Sequence, residues 1–121
     1  MSFNKVSEVT DRHLHILWTN GDPITSEHMV MMYATNSLLN EWWDKVTVIV
    51  WGAPQKLLLE NSSVRFEMEN ARDVGVEFSA CVSCANNLGT KEGLEELGLE
   101  VIRWGQKLSE LMQNGKHVLT V

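Results

Sequence analysis

Apolar and polar positions along the chain predict five short strands separated by helices. His13 to Trp18 reads as a first strand, with Leu14 and Ile16 on one side and His15 and Leu17 on the other. Thr19-Asn20-Gly21-Asp22-Pro23 is a dense turn signal that cannot continue it. A helix follows from about Ser26 to Trp42, with Thr25 or Asp22 as its cap. Met29 to Ala34 is apolar on nearly every side, and Leu38, Leu39 and Trp42 follow. That exceeds the single stripe a surface helix needs, so the excess is expected to face another subunit. Val46 to Trp51 is a near-continuous β-branched run of the kind that forms a central parallel strand covered on both faces.

Pro54 opens a short helix carrying Leu57, Leu58 and Leu59, broken near Asn61-Ser62-Ser63. A second helix runs from about Val64 to Asp73, with Gly75 placed to end it. Val76, Phe78 and Ala80 alternate with Glu77 and Ser79 as a third strand, followed by Cys81 and Cys84 and one helical turn. Thr90 is expected to cap a helix from Lys91 to Leu97. Leu99 to Ile102 is the fourth strand, Gln106 to Gln113 the last helix, and His117 to Thr120 the fifth strand. Strands alternating with helices give a βαβ series and hence a parallel sheet covered on both faces. Residues 1–12 carry only scattered apolar positions and are expected to form a loose lead-in to one α/β domain over 13–121.

Composition narrows the function classes. A chain of 121 residues suffices for one domain with its own core. The formal net charge of −6, with no Lys/Arg cluster, argues against nucleic-acid and anionic-membrane partners. The first dozen residues are too polar for a signal peptide, and no apolar run reaches membrane-spanning length, so a cytoplasmic location is expected. There the two cysteines should be reduced at rest.

Those cysteines carry the best chemical clue. Cys81 and Cys84 stand where a strand hands over to a helix, where unpaired N–H groups and the helix dipole favour a thiolate. Ligands in open parallel sheets bind outside the carboxyl ends of the strands. The predicted strands end at Trp18, Trp51, the Cys81 turn and Trp104, with Asn20 and Asp22 beside the first. A shared pocket is therefore expected there, with Glu27 and His28 on the first turn of the nearby helix to steady a thiolate or donate a proton. As half of a zinc site the Cys-x-x-Cys spacing lacks a second cysteine pair, and neither metal nor cofactor is expected. A thioredoxin-like dithiol, a persulfide carrier and a pair of inert buried cysteines remain as readings. There is no Gly-x-Gly-x-x-Gly, Walker loop or Ser-centred elbow to support nucleotide binding or hydrolysis.

Four stretches resemble the DsrE family of small sulfur-handling proteins: Leu-His-Ile-Leu-Trp-Thr-Asn-Gly-Asp-Pro, Val-Thr-Val-Ile-Val-Trp-Gly, Ala-Cys-Val-Ser-Cys-Ala-Asn-Asn-Leu-Gly and Gly-Leu-Glu-Val-Ile-Arg-Trp-Gly. The resemblance implies a three-layer α/β/α fold around a five-stranded parallel sheet, and trimers or hexamers. It also implies sulfur carried as a persulfide on Cys81, with Cys84 as an added neighbour able to resolve it, and a protein that donates or accepts the sulfur. The alternative is a non-catalytic oligomeric module that binds a small ligand at the Trp-lined edge, where the cysteines only pack.

Overall fold

The computed structural model describes residues 11–121. It contains β1 (His13–Trp18), β2 (Lys45–Val50), β3 (Glu77–Cys81), β4 (Glu100–Ile102) and β5 (His117–Thr120). All pairings are parallel, in the order β4-β3-β2-β1-β5. The first interstrand segment is one continuous helical run: α1 (Pro23–Thr25), a π-helical stretch (Ser26–Met31) and α2 (Met32–Leu39). The others are α3 (Ala53–Glu60), α4 (Ser62–Val74), α5 (Val82–Leu88), α6 (Lys91–Glu96) and α7 (Gly105–Gln113).

The strand order decides how the helices divide. From β1 to β4 every step moves the same way across the sheet, so right-handed crossovers place α1 to α6 on one face. The return from β4 to β5 runs the opposite way and leaves α7 alone on the other face. Core packing follows this division. Leu14, Ile16, Trp18, Val46, Val48, Val50, Phe78 and Ala80 meet the larger helical layer through Val30, Met31, Ala34, Leu58, Met68 and Leu94. A smaller cluster of Ile49, Cys81 and Trp104 packs with Leu17, Trp51, Cys84, Ile102, Leu108 and Leu111 on the α7 side.

Local chemistry sets the boundaries. Asp22 caps the first helix by accepting from the Thr25 N–H at 2.8 Å, so the run begins at Pro23 rather than at Ser26. It ends at Leu39, where Asn40 and the left-handed Glu41 (φ 57°) turn the chain, and Trp42 lies beyond it. Asn61 ends α3 and caps α4 through its Oδ1, 3.0 Å from the Val64 nitrogen. Gly75, with φ of 113°, closes α4 as the sequence predicts.

Thr90 is not the side-chain cap expected for α6; its hydroxyl donates instead to Gln55 Oε1 at 2.7 Å. Residues 1–10 of the expected lead-in lie outside the described residues. Arg12 is held in place: its guanidinium donates to Asp44 at 3.1 Å and to the Glu41 carbonyl at 2.6 Å, and its carbonyl accepts from Asp44 and Lys45.

Candidate functional site

At the carboxyl ends of β3 and β4 the chain leaves to opposite faces, through α5 on one side and α7 on the other. That reversal opens a crevice of about 470 Å³ lined by Val82, Ser83, Asn86, Arg103, Trp104, Gly105 and Gln106. Cys81 ends β3 and is the N-cap of α5, in extended conformation, so Cys84 falls in the helix's first turn. Period-2 alternation sends the Cys81 side chain to the α7 face, where it is 4 % exposed. Cys84 is half-buried, and neither cysteine is in a disulfide.

The two thiols pack in one cluster, and the Gly52 backbone amide lies beside the Cys84 sulfur. Gly52 adopts φ 80° and ψ −129°, a conformation open essentially only to glycine. Burial pushes the Cys84 thiol above the ordinary cysteine range, and the neighbouring Cys81 thiol adds to the effect. The amide of Gly52 works against both. Cys84 is therefore a protonated thiol at neutral pH, the opposite of the activated thiolate the helix start suggests.

A buried glutamine unseen in the sequence reading holds this corner together. Gln55 is fully buried, and its Nε2 donates to the carbonyls of Val50 and Cys81, each at 3.0 Å. Its Oε1 accepts from Thr90. One side chain thus ties the ends of β2 and β3 to the start of α6. A polar residue just after Gly52-Ala53-Pro54, in a helix otherwise burying Leu58, was the available signal.

The expected meeting of three tryptophans does not occur. Trp18 shares the parity of Leu14 and Ile16, so it is wholly buried in the larger core, where its Nε1 donates to the Asn20 carbonyl and Ser26 Oγ. Only Trp51 and Trp104 join the cysteine cluster. Asn20 and Asp22 serve the turn: Asn20 Oδ1 accepts from the Asp22 N–H at 2.8 Å, and Asp22 caps α1. Glu27 and His28 line a separate groove with Met31, Met32, Glu67 and Asn70, on the outer helical layer and away from the thiols. None of these four residues belongs to the thiol site, because the helix they start lies over β1 and β2 on the other face.

The half of the α7 face at the strand starts is polar. His15, Thr47 and Glu77 form one row across three strands. Thr47 Oγ1 donates to Glu77 at 3.1 Å, so its 2.8 Å contact with His13 Nε2 is a bond it accepts, which places the His13 proton on Nε2. The rings of His13 and His15 stack at 4.0 Å, and His15 meets Trp104 edge-on. Trp104 Nε1 donates to Ser79 Oγ at 2.8 Å. Burial lowers the pKa of His13 and, with the charge of His13, brings His15 to about 4. Among the described residues no group of three or more His, Cys, Asp or Glu side chains is arranged to hold a metal ion.

Together these features define an all-parallel α/β/α domain with a thiol pair beside its switch-point crevice. No protein-family model matches the chain, and no curated protein does. A solved structure similar to it is BT1422 from Bacteroides thetaiotaomicron, described as a conserved protein of unknown function. The two share 34% identity at a TM-score of 0.87, over 91% of this chain and 95% of that one. The chain belongs to the same family as BT1422.

Proposed function

We propose that this chain is a small cytoplasmic sulfur-handling protein, of the kind the DsrE resemblance implies, working through Cys81 and Cys84 as a pair. The observation that carries the reading is the packing of Cys81 and Cys84 in one cluster at the β3–α5 junction. Two reduced sulfurs in contact are ready for exchange through a disulfide. Cys84 is the more exposed, so it meets the donor, and Cys81 resolves. This reverses the roles the resemblance implies.

Cys84, as thiolate, attacks the terminal sulfur of a donor persulfide and takes it as Cys84–S–SH, while the donor leaves as its own thiolate. The Cys81 thiolate then attacks the Cys84 sulfur, forming the Cys81–Cys84 disulfide and expelling hydrosulfide to an acceptor. An external dithiol, itself oxidised to a disulfide, restores both thiols. Because Cys84 is protonated at rest, the donor protein must supply the base or the nearby positive charge that ionises it. The acceptor and donor are proteins, and the chain itself works as a homo-oligomer.

Intact-mass spectrometry after incubation with a cysteine desulfurase and cysteine tests this. Cys81→Ser is expected to accumulate one added sulfur atom, and Cys84→Ser none. An added sulfur that persists without either cysteine, or none in any variant, would overturn it.

A further inference from the structure

Beside α7 on the polar half of its sheet face runs a trough that the thiol chemistry does not use. Its two halves measure about 370 and 350 Å³ and share His15, Trp104 and Lys107. A parallel sheet ordinarily buries two apolar faces, yet this floor carries the His15–Thr47–Glu77 row. His15 is 8 % exposed, and its Nδ1 has no hydrogen-bond partner among the described residues. A buried polar atom left so costs about 1–3 kcal/mol and calls for a partner.

Sorting the charged wall residues by partner says what that partner carries. Glu77 is held by Lys45 at 3.6 Å and by Thr47. Lys116 stands 3.5 Å from Asp11, and Glu110, which lines only the other half of the trough, accepts from the neutral amide of Gln106 at 3.0 Å and has no cationic partner among the described residues. Among the described residues Lys107 has no carboxylate partner and lies 5.8 Å over the Trp104 ring. Glu100 likewise has no cationic partner there, only the Ser79 hydroxyl at 3.5 Å. One unpaired cation and one unpaired anion thus line the same half of the trough, with an indole and an imidazole beside them.

We propose that this trough is a second binding site, separate from the thiol pair, for a small zwitterion. The ligand's ammonium pairs with Glu100, its carboxylate with Lys107, and its apolar body rests against Trp104 and His15. The His15 imidazole beneath it is neutral and adds no charge that would favour either end. Trp104 also borders the crevice above α5, so the two sites meet at one side chain.

Glycine, β-alanine and γ-aminobutyrate hold the two charges at increasing separation, and acetate and ethylammonium carry one each. Titrated into 15N-labelled protein, at least one zwitterion should saturably shift the Trp104 indole N–H signal, assigned through Trp104→Phe. Acetate and ethylammonium should bind about tenfold more weakly or worse. Lys107→Ala and Glu100→Gln, both at exposed positions, should each weaken the zwitterion about tenfold. The double variant Cys81→Ser/Cys84→Ser should bind it as the wild type does. The proposal is overturned if no zwitterion shifts the signal, if a singly charged probe binds as tightly, if both wall variants bind normally, or if the double cysteine variant does not bind.

Discussion

Single residues set the chemistry of both faces of the α7 side. Gly52 turns its N–H toward Cys84 in a backbone conformation that a side chain resists. Gly52→Ala should therefore destabilise the fold by about 1–3 kcal/mol in urea unfolding and also change the rate at which Cys84 is alkylated. Normal alkylation in a stable variant would break the link between turn and thiol.

Because the folded state raises the Cys84 pKa, its stabilising share is present below the unfolded value and lost as pH rises through the folded one. Alkylation of Cys84 should accordingly accelerate only well into alkaline solution. His15 has the opposite sign. Its folded pKa of about 4 lies below the unfolded value of 6.5, so its contribution is whole above 6.5 and lost as pH falls through 4. His13 and Lys45 oppose its protonation, and Asp11 and Glu77 favour it. Melting temperatures between pH 7 and pH 4 should fall less in His15→Phe than in the wild type. In unfolding free energy the difference between the two proteins over that pH range should be about 1–3 kcal/mol.

At the scale of elements, β2, β3 and α6 are joined by one buried amide. Gln55→Leu keeps the volume and leaves the Val50 and Cys81 carbonyls and the Thr90 hydroxyl without their partner. A loss of about 2–4 kcal/mol is expected, measured by chemical unfolding, because a lost partner inside the protein costs more than a hydrogen bond nets. Hydrogen exchange at the β3–α5 junction should quicken at the same time; unchanged protection there would remove Gln55 from the site.

Element types were legible from periodicity, while the bounds of the first helix and one helix cap were not. The long helix starts at Pro23 because the Asp22 carboxylate accepts from the Thr25 N–H. Thr90 has capping chemistry, but its hydroxyl is drawn to Gln55, 35 residues away in sequence. A tertiary partner overrode the local preference.

For the whole molecule, the surplus of apolar residues on the first helical run is open to solvent in the single chain. Met32 and Leu39 are exposed, as are Trp42 beyond the helix and Phe66 on α4. Exposed side chains of this size on one layer are the reason to expect a homo-oligomer. Light scattering should give a mass above that of one chain, and Phe66→Asp with Met32→Asp should reduce it to a monomer without unfolding it. A monomeric wild type would count against assembly through this layer. Among the described residues no helix is long and apolar enough to cross a membrane.

Much of the fold follows from the chain read by itself, because side-chain parity in a strand and periodicity in a helix are local properties. The five strands, their parallel sense and the cysteines' place at a strand end all belong to that category. Parity also put Trp18 with Leu14 and Ile16, which is why it is lost to the core rather than added to the site. Tertiary structure alone decided that β5 returns beside β1, that one helix stands by itself on the second face, and that His15, Ser79, Trp104 and Gln55 become neighbours of the site. Those outcomes depend on which strand a crossover reaches, and no window of adjacent residues carries that information.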